Sequence, residues 1–379
     1  MTRGRRGFTL IEMMVAVLVG SAGVVLAAKV AQVVITQSAK GRQSTDFHSR
    51  TRLVGRQLRA DIRSTGIGST GAVAVDNNIA VWTQMSVLTT AGFSAIPVVA
   101  GANNLGGVNI GGATTFGGSD AVQLLVTNPD TAVRTIGFSA ANQDILNLDP
   151  NDRAINCPSG LIYISDHSAP TGGGRTQLLF VDGYPPNGID TTGVLQFTVA
   201  PGSDVMCARL SVYWTDTQGW MHRSDLSGAA APIINLGGPV WVDPSNVGPD
   251  SLAPGVLDLQ VAYRVSAEVY TQNGQVRPVN QPARTWAFEG VAGNADPLMA
   301  GTMWFEVRMV RVNLLARTLR RVDAKVQARN VPRREDAAGL GPIVLNRSLG
   351  AEWATATETL TNLRYFDYTA PSGAVAEPY

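Results

Sequence analysis

The first polar-to-apolar pattern along the chain is a block without alternation. From Phe8 to Ala28 the residues are apolar, small or hydroxylic, and the only ionisable side chain is Glu12. A run of about 21 such residues wound as a helix is roughly 30 Å long, the thickness of one bilayer core. Lys29, Lys40, Arg42 and Asp46 then break the apolar run, but no proline occurs before Pro97, so the helix can continue. Phe47, Val54, Leu58 and Ile62 recur at spacings of seven and four and mark one face, while Arg50, Arg52, Arg56, Arg59 and Arg63 occupy others. Gly66 and Gly68 supply a stop. The pattern predicts one helix from about Phe8 to Thr65, with a membrane-compatible first half (8–28) and a second half (29–66) that packs beneath a sheet. Gly20, Gly23 and Gly41 weaken it locally, by about 1 kcal/mol each relative to alanine.

Beyond residue 66 the period changes from helical to alternating. "DAVQLLVTN" from Asp120, "GLIYISDH" from Gly160, "TQLLFVDG" from Thr176, "VMCARLSVYWTD" from Val205, "GVLDLQVAYRV" from Gly255 and "TMWFEVRMVRVNLLAR" from Thr302 read as strands. In the last, Met303, Phe305, Val307 and Met309 fall on one side, and Trp304, Glu306, Arg308 and Val310 on the other. Glycine-rich stretches such as "GANNLGGVNIGGATTFGGSD" read as surface excursions, and the region from about 90 to 118 as insertions. Helical crossovers are scarce, so the class is α+β: a long N-terminal helix on a large antiparallel sheet body, residues 67–379.

Composition adds little to that picture. Forty glycines and twenty prolines favour many short strands, and 379 residues are enough for a substantial core. A formal charge of +1 provides no global field that would select nucleic acid or an acidic surface as a partner. Cys157 and Cys207 form no CxxC pair and have no histidine at metal-ligand spacing. Outside the cytoplasm they would close a loop of about fifty residues, worth roughly 4 kcal/mol in the chain-entropy model; the other reading is two buried thiols.

Arg3, Arg5 and Arg6 precede the apolar run, so the positive-inside rule keeps the first residues in the cytoplasm and sends the body across. Three kinds of segment have this outline. An ordinary signal peptide has a shorter apolar stretch and no acid. A twin-arginine signal would fit Arg5, Arg6 and Phe8 and would imply an exported enzyme starting near Lys29. The third is an anchor whose short leader is removed before Phe8. The residues favour it: "RGFTLIEMMVA" resembles the class III signal of type IV pilins and pseudopilins, with Gly7, Phe8 and Glu12 at the three diagnostic positions.

That resemblance implies a leader, Met1 to Gly7, cut by a prepilin peptidase, and N-methylation of Phe8. It also explains Glu12. A lone carboxylate in hydrocarbon is costly, and the resemblance implies a partner for it in the methylated Phe8 amine of a pilin subunit. The plainer reading is a helix-start glutamate placed favourably against the helix dipole. "RLVGRQLRADIRSTGIGS", with Leu58, Arg59, Asp61, Arg63 and Gly66, resembles the end of the first helix in PilW-like minor pilins. Later segments through "ETLTNLRYFDY" are similar in order and wording. The resemblance implies a non-catalytic subunit of pilus assembly and its tip complex, in the inner membrane with its body in the periplasm and later on the cell surface. Its partners would be other minor pilins, the major pilin, inner-membrane lipid before assembly and a tip adhesin. A type II secretion pseudopilin shares the N-terminal signal and is the close alternative.

No catalytic motif competes with this reading. His48, His167 and His222 stand apart, and Ser165, Asp166 and His167 side by side in one strand alternate faces. No GxSxG, HExxH, P-loop or dinucleotide fingerprint occurs, and no cofactor is implied. The loops 149–152 and 182–190 are oxygen-rich but lack the EF-hand pattern, so they read as turns with no metal assigned. Arg317, Arg320, Arg321, Lys325, Arg329, Arg333 and Arg334 cluster without interleaved aromatics. That suits a solvated loop or hairpin better than a nucleic-acid surface.

Overall fold

The computed structural model describes residues 9–359, apart from 70, 87, 91–92, 153, 167–174, 247–251, 266–268, 271–275, 278–287, 290–297, 300, 318–328, 332–342 and 346–350. One unbroken α-helix runs from Leu10 to Arg63. Val54, Leu58 and Ile62 are buried, and Arg52, Arg56, Arg59 and Arg63 are exposed, as the spacing predicts. The side chain of Phe47 lies outside the described residues. The helix ends at Ser64, and Gly66 and Gly68 turn the chain with φ of 57° and 78°. Gly66 is doubly constrained: its φ favours glycine, and a Cβ there would lie 2.6 Å from Val98 Cγ1.

The body is a 12-stranded sheet built around the strand Asp204–Thr215. Along one edge this strand pairs with Ala121–Arg134, from Tyr213↔Val122 to Asp204↔Arg134. Along the other it pairs with Leu161–Asp166 through its first half and with Trp220–Asp225 through its second. The sheet continues through Arg175–Gly183, Ala72–Val75 and Phe93–Pro97. Its described pairings are antiparallel except where Ala74 meets Gln177. A separate three-stranded antiparallel sheet comprises Val256–Val265, Val307–Arg317 and Ala351–Thr359, and the helix lies against its last two strands.

Leu161–Asp166 is buried at every position, so both of its faces are covered. Alternate residues serve two cores. Leu161, Tyr163, Leu178, Phe180 and Met206 join the larger core, which also takes Val54, Leu58 and Ile62 of the helix. Ile162, Ile164, Leu179, Val205 and Cys207 point the other way into a second core with Leu146, Ile189 and Val199. Cys157 and Cys207 are joined by a disulfide that ties the covering lobe to the central strand.

Two expectations are corrected. The strand expected from Thr302 starts at Val307; Gly301–Glu306 is a 3-10 turn, which sets Trp304 edge-on to Tyr263 at 5.0 Å. A bulge opposite Arg264 and Val265 then shifts the alternation, so Val307 and Val310, expected on opposite sides, enter the same core. The glycine-rich stretch is not a surface excursion either. Leu105 and Ile110 are buried in the larger core, Phe116 N donates to Thr215 O at 2.8 Å, and Asp120 Oδ2 accepts from Val261 N at 2.7 Å. Ser119 Oγ accepts from Leu259 N (2.9 Å) and from Thr215 Oγ1 (2.8 Å), so the segment seams the two sheets together.

The helix's hold on the body rests on a short apolar strip. Leu58→Ala should lower stability by about 3 kcal/mol through lost burial and the cavity left behind, measured as a fall in the urea midpoint of the detergent-solubilised protein.

Candidate functional site: the N-terminal helix and its seat

At its first turn the helix closes a capping box. Thr9 is extended, its Oγ1 accepts from Glu12 N at 3.3 Å, and Glu12 Oε2 accepts from Thr9 N at 2.9 Å and from Thr9 Oγ1 at 3.0 Å. Two backbone donors that would otherwise face hydrocarbon are satisfied within the chain. The Thr-x-x-Glu signature of this box is legible in the sequence at Thr9 and Glu12. Gly7 and Phe8 lie outside the described residues.

Within Leu10–Ser38 the helix reaches a mean hydropathy of 2.3 over an 18-residue window, and none of residues 10–38 is buried by the body. The exposed apolar stretch therefore runs well past Ala28. Lys29 is a single cation among valines and alanines, and a long lysine stem can carry its charge along a helix toward a polar boundary. A surface this large and apolar requires a covering of lipid or protein.

The other end is fixed by charge. Asp61, in the last turn of the helix, is buried. Its Oδ1 accepts from Arg209 Nη2 at 2.5 Å and its Oδ2 accepts from the Tyr213 hydroxyl. Both partners lie on the central strand two alternations apart, so they share a face. Burial, and then the neighbouring Asp61 charge, push the Tyr213 phenol far above the ordinary tyrosine range. Burial alone would lower the affinity of Arg209 for its proton, but the adjacent Asp61 carboxylate outweighs it and holds the guanidinium more firmly charged than usual. Backbone bonds complete the seat: Thr127 N and Oγ1 donate to Ser64 O at 2.9 and 2.7 Å, and Gly66 N donates to Leu125 O at 3.0 Å. The motif that contains Asp61 gives it no role; the signal for this seat in the sequence is a lone acid on the buried face of an amphipathic helix.

The remaining candidates lie away from this seat. His222 is buried, stacked on Trp214 at 4.3 Å with Nε2 2.9 Å from Asp216 Oδ2. His167 and most of the basic cluster at 317–334 lie outside the described residues, as does the side chain of His48. In the first oxygen-rich loop, Asp149 Oδ1 accepts from Asn151 N at 2.9 Å, a turn-forming bond, and Asp152 Oδ2 accepts from Arg134 N at 2.7 Å, tying the loop to the end of the strand Ala121–Arg134.

Residues 2–28 match the model of the prokaryotic N-terminal methylation motif. The chain matches no curated protein. The motif is a type IV pilin-like signal, and carried on an exposed apolar helix it supports a membrane-anchored, exported protein.

Asp61→Ala should cost about 3 kcal/mol, the low end for a broken buried pair because Arg209 keeps some contact with water. The raised phenol of Tyr213 contributes stability that is whole below the ordinary tyrosine pKa, about 10, and is lost as pH climbs beyond it. Absorbance titration at 295 nm of the wild type and of Tyr213→Phe should differ by one tyrosine that ionises only when the chain unfolds in alkali.

Proposed function

We propose that the protein is a PilW-like minor pilin, a non-catalytic subunit that takes part in starting pilus assembly and sits in the tip complex. The observation that carries this reading is the methylation motif at residues 2–28, seated on a helix whose largely apolar outer stretch, Leu10–Ser38, is left uncovered by the body. A subunit so built rests in the inner membrane with its body in the periplasm, and exchanges lipid for neighbouring helices on assembly. Other minor pilins and the major pilin supply those helices, a prepilin peptidase removes Met1 to Gly7, and a tip adhesin is a further partner. Adhesion and twitching motility are the activities such a filament serves. The type II secretion pseudopilin shares the motif; the resemblance of "LRADIRSTG" and of the later body segments to PilW-like proteins favours the pilus.

In this reading Glu12 has a second task beside the cap, pairing with the methylated Phe8 amine of a neighbour. Its two tasks separate by substitution, because glutamine preserves a capping box and removes the charge.

Intact-mass and N-terminal analysis of the cellular protein should give a chain starting at a methylated Phe8; a start near Lys29 would overturn the reading. Glu12→Gln should leave processing intact and lower recovery of the protein in sheared pili, whereas recovery equal to wild type would remove the pairing role.

A further inference from the structure

We propose that the cleft where the central strand changes partners binds a free α-amino acid with an aliphatic side chain. Along one edge of Asp204–Thr215 the pairing with Leu161–Asp166 reaches Ala208↔Leu161, and the pairing with Trp220–Asp225 begins at Ser211↔Asp225. Two bonds bridge the interval: Ser159 Oγ donates to Ala208 O, and Leu226 N donates to Leu210 O at 3.0 Å. The same residues line a cleft of about 480 Å3, a volume in the range of small-molecule sites. It belongs to the body and does not depend on entry into a filament.

The polar groups here are only half used. Alternation puts Arg209, Ser211 and Tyr213 on one face of the central strand, and the ladder puts Arg223 and Asp225 on that face too. Asp225 Oδ1 accepts from Ser211 Oγ at 2.6 Å and lies 3.3 Å from Arg223 Nε. Asp225 Oδ2 and both Nη groups of Arg223 have no hydrogen-bond partner among the described residues, and the two side chains are 26% and 28% exposed. A cationic and an anionic binding group therefore stand open side by side, within reach of one amino-acid head group.

Charge balance decides which ligand suits them. Asp61 and Asp225 already match Arg209 and Arg223, and Asp243, buried behind Ser227, makes three aspartates against two arginines. Asp243 is held by the amides and hydroxyls of Ser227 and Ser245, so it adds its field and no open oxygen-binding task. A simple anion would bind Arg223 against that balance, and an amine would leave the guanidinium unfilled. A zwitterion serves both: its carboxylate takes the planar donors of Arg223 and its ammonium donates to Asp225 Oδ2. Val126, Ala208 and Leu226 supply an aliphatic wall, and no aromatic ring lines the cleft, which selects an aliphatic side chain.

The test is calorimetric titration of the full-length protein in detergent micelles. L-leucine should show one saturable site per chain. Isocaproate keeps the carboxylate and lacks the ammonium, and isopentylamine keeps the ammonium and lacks the carboxylate. Each should bind at least about tenfold more weakly than leucine, the loss expected for one hydrogen-bonded charge. Arg223→Gln and Asp225→Asn should each weaken leucine by about tenfold. Asp225→Asn should also narrow the gap between leucine and isocaproate, which a merely structural role would not do. An unchanged urea midpoint shows that each variant folds, and either one alone carries the test. No saturable binding of L-leucine, L-valine or L-alanine, an analogue that binds as tightly as leucine, or binding that neither substitution changes would overturn the proposal.

Discussion

A carboxylate with almost no water around it survives at the end of a helix only if hydrogens are aimed at it, and Arg209 and Tyr213 do this for Asp61. Both partners stand on the central strand, so the last turn of a 54-residue helix is referenced to the element around which the sheet is laid out. The same strand holds the disulfide at Cys207 and receives the glycine-rich seam at Thr215. A change in its register would disturb the helix seat, the lobe and the junction of the two sheets at once. The direction in which the uncovered apolar half leaves the body follows from this one strand.

The division of labour along the helix is also a matter of burial. Val54, Leu58 and Ile62 have a core to enter; Leu10 to Ser38 have none. A body cannot cover a rod of this length without a second layer of helices, and the described chain contains only one other α-helix, Ala80–Met85. The outer half is therefore stable only in lipid or among other helices. The capping box at Thr9 and Glu12 suits such surroundings, since it satisfies backbone donors without water.

Much of this was legible locally. The helix was read from residues four and seven apart, its end from two glycines that adopt positive φ, and most long strands from runs that alternate or are apolar throughout. The misreadings share a cause. Val307 and Val310 were placed on opposite faces because simple alternation holds only until a bulge, and the bulge is set by pairing with Arg264 and Val265 across the sheet. Leu105 and Ile110 looked incidental among glycines because their weight comes from a core assembled by residues far away in sequence.

By itself the amino-acid sequence determined the membrane-length helix, its orientation signal, the methylation motif and the antiparallel character of the body, because each depends on composition or spacing within a single stretch. Only the tertiary structure decided that Asp61 anchors that helix to Arg209 and Tyr213, 148 and 152 residues away, and that Cys157 reaches Cys207. Those depend on which distant strands become neighbours. That is governed by the closing of two cores on opposite faces of one sheet, a constraint no local window contains.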